Sequence, residues 1–183
     1  LPSTISSAWD PTTQVRVHAD TSAPQITTAG DGTVTVTADL AAAVGADGNY
    51  TEAPPGAKAE LGFSLARTAS DQWRIVDLPD GVLLNTYFFT TVFVAQPLYY
   101  LTPDRGALVP ELRWFPRQDV VTGTVDALLA GPGEPLDEVV VTELPADLER
   151  RSEAVDISDG VAEVDLGPQL GDLPEPQRSL AVL

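Results

Sequence analysis

Hydrophobic and polar residues alternate along several stretches of the first half of the chain, and this period of two predicts β-strands. Val15 and Val17 are predicted to face a core while their neighbours face out. The valines of 33–37 and the apolar residues of 57–68 repeat in the same way. The first half therefore predicts an antiparallel sheet, with the Gly-, Pro-, Asp- and Asn-rich stretch 45–56 as an exposed loop.

The segment 81–103 holds no charged residue, which is nearly the length needed to span a bilayer. Its apolar residues are mostly aromatic or β-branched, and Asn85, Gln96 and Pro97 interrupt them. These features favour strands joined by a turn over a lipid-facing helix.

The second half predicts a ββαββα module. Four apolar residues of 120–130 fall on one helical face, Asp119 precedes them as a candidate N-cap, and Gly131 follows as a C-cap. Ser158-Asp159-Gly160 is a hairpin turn signal. The predicted elements are, in order, strands at 98–101 and 108–115, a helix at 120–130, strands at 139–142, 154–157 and 161–166, and a helix from 174.

Composition excludes several classes of function. A net charge of −17 repels phosphate backbones and anionic headgroups, which argues against binding of nucleic acid or a lipid surface. The chain has no cysteine and one histidine, His18, which excludes thiol nucleophiles and zinc sites built from cysteine or from several histidines. It has no methionine either, so Leu1 is not an initiator, and we expect a processed or recombinant fragment.

No motif predicts catalysis. A histidine-dependent triad has to pass through His18, which sits on the polar side of a short strand without a serine elbow nearby. Phosphate-binding glycine motifs are absent from the sequence, and the carboxylates of 156–165 do not follow the calcium-loop spacing. We predict no catalytic, cofactor-binding or metal-binding residue. Two carboxylates facing each other across a cleft would reopen the enzyme hypothesis.

The aromatic residues carry the one candidate site. Trp114 and Phe115 are adjacent on a predicted strand, so they point to opposite faces, and only one of them joins a given core. With the flanking Arg113 and Arg117 they form a typical interaction hot spot. We predict that these four residues bind a partner; the alternative is contact between the two halves of the chain or with a neighbouring domain.

Three stretches carry a family resemblance. They are WRIVDLPDGVLL from residue 73, LYYLTPDRGALVPELRWFP from residue 98 and VVTGTVDALLAGP from residue 120. In this order they resemble the LpqB lipoproteins of actinobacteria, and the second half resembles the GerMN module of those proteins. The resemblance implies an α+β chain: a partial NTF2-like antiparallel sheet over 1–97, then a GerMN-like domain over 98–183 that is truncated at its C-terminus.

The same resemblance implies a function. It is that of a non-enzymatic, extracytoplasmic module, without cofactor, tethered to the cell membrane by an N-terminal lipid outside this fragment. The implied partners are the extracytoplasmic domain of an MtrB-type sensor histidine kinase, in envelope and cell-division signalling, and the C-terminal β-propeller of the same full-length protein. The alternative is a binder of a sugar or peptidoglycan fragment, which a concave pocket lined by Trp114 or Tyr100 would favour.

Overall fold

A computed structural model describes residues 9–181 of the chain. It divides into two compact units, Leu1–Val92 and Phe93–Leu183, and each is described by itself. Sheets with mostly antiparallel pairing dominate both units and helices are few, which confirms the predicted α+β class. The sequence had predicted the domain boundary after residue 97.

Unit 1 is built around one sheet. Its elements are β1 (Gln14–His18), β2 (Gln25–Thr28), β3 (Thr33–Gly45), β4 (Tyr50–Glu52), β5 (Lys58–Arg67), β6 (Trp73–Asp77), β7 (Val82–Asn85) and α1 (Thr86–Val92). The strand order is β6-β5-β3-β1-β7, while β2 and β4 also pair with β3. Every pair is antiparallel except β1 with β7, which run parallel.

The 13-residue strand β3 organises this sheet because four strands pair along it. The predicted alternation is confirmed on the strands beside it. Val15 and Val17 of β1 are buried, as are Ala59 and Leu61 of β5, and the residues between them are not.

Two predictions for unit 1 are wrong. The stretch predicted as a loop, 45–56, contains β4, which pairs with β3 through Tyr50 opposite Val44. The segment 81–103 does contain two strands, β7 and Phe93–Leu101, but α1 joins them where a turn had been predicted. The side chain of Asn85 accepts the backbone N–H of Phe88 at 2.8 Å and caps the first turn of this helix.

Unit 2 has the predicted ββαββα order, without the additional strand predicted at 139–142. Its elements are β8 (Phe93–Leu101), β9 (Leu108–Pro116), α2 (Val120–Ala130), β10 (Asp156–Ser158), β11 (Val161–Glu163) and α3 (Glu175–Ala181), with short 3-10 helices at Leu136–Glu138 and Pro168–Leu170. None of the helices within residues 9–181 is long and apolar enough to cross a membrane.

The core of unit 2 lies between the β8–β9 ribbon and α2. It consists of Leu98, Tyr100, Phe115, Ala127 and Val140, all nearly inaccessible to solvent. The helix approaches the ribbon closely at a glycine, because a Cβ on residue 123 would lie 2.7 Å from the ring of Phe115. Close packing therefore explains why this position of α2 carries no side chain.

The strand predicted at 139–142 is wrong. Only Val141 pairs, through an isolated bridge to Leu101. The backbone N–H groups of Val139 and Val140 both bond to the carbonyl of Leu136, so the chain is still turning when it reaches β8. The predicted hairpin turn is confirmed: Asp159 and Gly160 both have positive φ, as a tight turn between β10 and β11 requires.

Candidate functional site

The β8–β9 ribbon has two faces, and the register assigns each residue to one of them. Leu98, Tyr100 and Phe115 lie in the core, so residues that alternate with them face the other way. We call that second side the outer face. It comprises Phe93, Ala95, Pro97, Tyr99, Leu101, Leu108, Pro110, Leu112, Trp114 and Pro116.

No residue of the outer face is charged. Tyr99 is 54% exposed and Leu112 is 56% exposed, and Leu108 is exposed to a similar extent. A continuous apolar surface on a two-stranded ribbon is unusual for a soluble domain and is typical of interaction sites. Sequence reasoning missed these residues as a set, although the alternation of apolar residues along both strands is the signal that groups them.

The charged residues of the ribbon lie instead on the side that faces the core, which we call the inner face. The Nη2 atom of Arg113 donates to Glu111 Oε2 at 2.8 Å and to the carbonyl of Gly131 at 3.4 Å. The other carboxylate oxygen of Glu111 accepts the N–H of Gly133 at 3.2 Å. This buried ion pair therefore fixes the chain that leaves α2 against the ribbon.

The four residues predicted to bind a partner are divided between interior and surface. Arg113 is 1% exposed and Phe115 belongs to the core, because the inner face is the one that packs on α2. Trp114 is half-buried on the outer face and Arg117, just after β9, is exposed. Partner contact therefore remains a prediction for Trp114 and Arg117 only.

The free edge of β9 carries prolines at two key positions. Leu101 exchanges both backbone bonds with Val141, so the odd-numbered residues of β8 point their N–H and C=O groups away from β9. Their register partners on β9 point outward at the opposite edge. Pro110 and Pro116 are among these partners and lack an N–H, which makes this edge a poor template for strand addition.

The edge of β8 is different, because a cleft runs beside it. The cleft has a volume of about 220 Å³ and separates β8 from the segment 141–144, with Thr124 and Leu128 of α2 also in its lining. Most of the lining is apolar. Tyr99 and Tyr100 both contribute to it, and Tyr100 is a residue that the sequence analysis associated with a small-ligand pocket.

Burial raises the pKa of Tyr100 to about 12, so this residue remains a neutral phenol at physiological pH. The one carboxylate of the cleft, Glu143, is held by Arg105 of the β8–β9 turn, with 2.5 Å between Nε and Oε1. The cleft therefore presents apolar walls without an uncompensated charge.

A second hollow, of about 370 Å³, lies beside α2, and Asp126 and Glu149 are among the residues that line it. Arg150 holds Asp126 through two hydrogen bonds, at 2.8 and 2.9 Å, and this carboxylate raises the pKa of the guanidinium. Asp126 is therefore an ion-pair partner rather than one of two opposed catalytic acids. Within residues 9–181, no three metal-ligating side chains cluster together.

Comparison with known families assigns both halves of the chain. Residues 1–90 match the family model described as the N-terminal domain of lipoprotein LpqB. Residues 97–182 match the model described as sporulation and spore germination. No solved structure matches the chain.

Curated relatives lead to the same family. The chain is 30% identical to lipoprotein LpqB of Cutibacterium acnes over 183 residues, which cover 98% of this chain and 30% of that protein. It is 34% identical to lipoprotein LpqB of Thermobifida fusca over 120 residues, covering 62% of this chain and 19% of that protein. The chain thus spans less than a third of the length of either relative.

Proposed function

Because this chain belongs to the LpqB lipoprotein family, we propose that it is a non-enzymatic interaction segment of an extracytoplasmic lipoprotein. The relatives are named lipoproteins, which supports a location outside the cytoplasm with a lipid tether to the membrane. The proposed partner is the extracytoplasmic domain of an MtrB-type sensor histidine kinase, as the family resemblance implies.

The outer face of the β8–β9 ribbon is the observation that supports this function best. Interaction hot spots combine aromatic and large aliphatic side chains within an apolar centre. Tyr99, Leu112 and Trp114 offer such a group on one side of two adjacent strands. Arg117 directly follows β9 and is exposed, and a charged residue at such a position is typical of the rim of an interface.

Binding alone is sufficient for an accessory role. A partner that prefers one of two states of the sensor shifts its equilibrium by the difference in the two affinities. A tenfold difference in affinity corresponds to about 1.4 kcal/mol, which is within reach of one or two well-packed aromatic contacts. No bond has to be made or broken.

The test is binding of this chain to the immobilised extracytoplasmic domain of the sensor, measured by biolayer interferometry. Leu112→Glu introduces a charge at the centre of the outer face, and we expect at least a tenfold loss of affinity. Val161→Glu is the matched control because Val161 is 68% exposed on β11, within the same unit. Equal affinities for the original chain and Leu112→Glu would contradict the proposal.

A second pair of variants tests the predicted residues. Trp114→Ala and Arg117→Glu should each weaken capture of the sensor without lowering the thermal midpoint appreciably. Arg113 is unsuitable for this purpose, because its burial makes any substitution a stability variant. If the chain binds the isolated C-terminal β-propeller but not the sensor, and Leu112→Glu weakens that binding, the outer face is assigned to the propeller instead.

The cleft favours a second candidate function, recognition of a small envelope ligand such as a sugar or peptidoglycan fragment. Its specific support is the concave lining that includes Tyr99 and Tyr100. Titration calorimetry with a chitin-type oligosaccharide tests this candidate directly. Heat that vanishes when Thr124→Trp fills the cleft would support it, whereas no heat with the original chain would reject it.

A further inference from the structure

We propose that the cleft beside β8 binds an extended segment of a partner protein, which pairs with the backbone of Tyr99 as a short added strand. Some residues, such as Tyr99, belong both to the outer face and to the lining of the cleft, but the inference does not depend on the proposed contact with the sensor. It concerns the edge of β8, whereas the contact with the sensor concerns side chains that project from the ribbon.

The backbone groups of β8 show which residues can bond to an added strand. Leu101 donates to Val141 at 3.0 Å and accepts from Val141 at 2.8 Å, so its peptide groups face away from β9. Thr102 donates toward β9 instead, to Ala107 at 3.0 Å. Strand alternation then directs the N–H and C=O of Tyr99 away from β9 and into the cleft.

The segment that could have closed the cleft turns away from β8. In antiparallel continuation from the bridge between Leu101 and Val141, Glu143 would come opposite Tyr99. Pairing stops at Val141, however, and Arg105 holds the Glu143 carboxylate in the ion pair described above. Among the described residues, no backbone bond outside the β8–β9 ladder reaches Tyr99.

The length of the open edge limits the ligand. At one end the backbone groups of Leu101 already bond to Val141, and at the other end Pro97 has no N–H to donate. Between them the edge offers the N–H and C=O of Tyr99 and the C=O of Pro97. These groups match a segment of about three residues in extended conformation, the mode in which peptides add to sheet edges.

The largely apolar walls of the cleft fit a peptide better than they fit a sugar, the ligand of the second candidate function. Sugar recognition needs several side chains that bond hydroxyl groups, and the carboxylate of Glu143 is already engaged by Arg105. Leu98, Leu128 and Val141 instead offer contacts to small apolar side chains. The matching ligand is an uncharged segment with β-branched residues, which favour the extended backbone.

The probe for this site is the peptide acetyl-Thr-Val-Thr-Val-Thr-amide, carrying a fluorophore for anisotropy measurements with the complete 183-residue chain. Its control is the same peptide with an N-methyl group on the central residue, which removes one donor. We expect the unmodified peptide to bind and the methylated peptide to bind about tenfold more weakly. Equal binding of the two peptides, or no binding of either, overturns the inference.

Two proline variants localise the bond to one edge of the ribbon. Tyr99→Pro removes the N–H that faces the cleft, and Leu112→Pro removes an outward N–H from the opposite edge. Both positions leave the pairing between β8 and β9 intact, because neither N–H takes part in it. We expect a loss of about tenfold for Tyr99→Pro and a change within about twofold for Leu112→Pro.

A third variant separates this site from the outer face. Trp114→Ala removes a ring from the outer face at a position that does not line the cleft, so it should retain peptide binding. Amide exchange in the original chain provides a readout that needs no variant: the peptide should slow exchange at Tyr99 and leave Leu112 unchanged. Protection of Tyr99 by a chitin-type oligosaccharide, or by dimerisation of the chain without peptide, would overturn the inference in favour of those occupants.

Discussion

The two faces of the β8–β9 ribbon reverse the common distribution of charge in a small domain. The inner face buries Glu111 and Arg113 beside the core, while the outer face carries ten residues and no charge. The buried pair bonds both to itself and to the backbone at Gly131 and Gly133, so its role is to hold a loop. The outer residues are uncharged and largely apolar, and their chemistry is suited to a partner.

Burial, rather than residue type, therefore separates structural positions in unit 2 from candidate binding positions. An arginine beside a tryptophan has the composition of a hot spot, yet Arg113 is structural. Leu112, an ordinary apolar residue that directly precedes Arg113 and Trp114, is the most accessible of the three. The predictions below test the contrast between the two faces, from the largest effect to the smallest.

The largest expected effect is a difference in stability between a truncation on the inner face and one on the outer face. Phe115→Ala removes a buried ring that packs on α2 at Gly123, and we expect it to lower the free energy of unfolding by about 3 to 4 kcal/mol. Leu112→Ala on the outer face should cost less than about 0.5 kcal/mol. Urea denaturation of both variants checks this, and similar losses for the two would show that the outer face is packed in the folded chain.

Removal of one member of the buried ion pair should have the next largest effect. Arg113→Met leaves the Glu111 carboxylate uncompensated and breaks the contact with Gly131, with an expected loss of about 3 kcal/mol. The double variant with Glu111→Gln should recover part of that loss, since it no longer buries a lone charge. If the single and double variants unfold at the same urea concentration, the pair is not coupled as described.

Adding a side chain at Gly123, where α2 approaches the ribbon closely, should lower the free energy of unfolding moderately. Gly123→Ala improves helix propensity by about 1 kcal/mol, but its Cβ meets the ring of Phe115 at 2.7 Å. We expect the steric cost to prevail and the variant to lose about 1 to 2 kcal/mol. A thermal midpoint above that of the original chain would mean that Phe115 moves aside readily.

Ionisation of the Tyr100 phenol should cause a smaller loss of stability, confined to alkaline solution. Its pKa is about 12 in the folded chain and near 10 when unfolded, so the unfolded state loses the proton first. Stability is therefore complete below pH 10 and falls between pH 10 and 12, by about 1 to 2 kcal/mol. Tyr100→Phe should remove this part of the alkaline loss, and the absorbance step near pH 12 should vanish with it.

Alternation and turn chemistry predicted much of the fold. Val15 and Val17 face the core, α2 spans 120–130, and Asp159-Gly160 closes a hairpin, because each follows from a local rule about period or positive φ. The helix α1 could not be foreseen from propensity, since Thr, Tyr, Phe and Val favour strands. The signal available for it was the cap at Asn85.

The candidate site was harder to foresee, because both faces of the ribbon are apolar enough to be a core. Sequence could state that Trp114 and Phe115 point in opposite directions, but not which of them points inward. That choice is made by α2, whose Gly123 accepts the ring of Phe115. The burial of Arg113 likewise depends on the carbonyl of Gly131, a contact between residues 18 positions apart.

Pro110 and Pro116 have a consequence for crowded copies of this molecule. Fibre growth by stacked strands requires an unbroken row of backbone donors that each newcomer can copy. Along β9, two of the five outward positions have no hydrogen to offer, so a stack begun there cannot propagate. The outer face can therefore remain apolar at high density while the β9 edge beside it resists the stacking of strands.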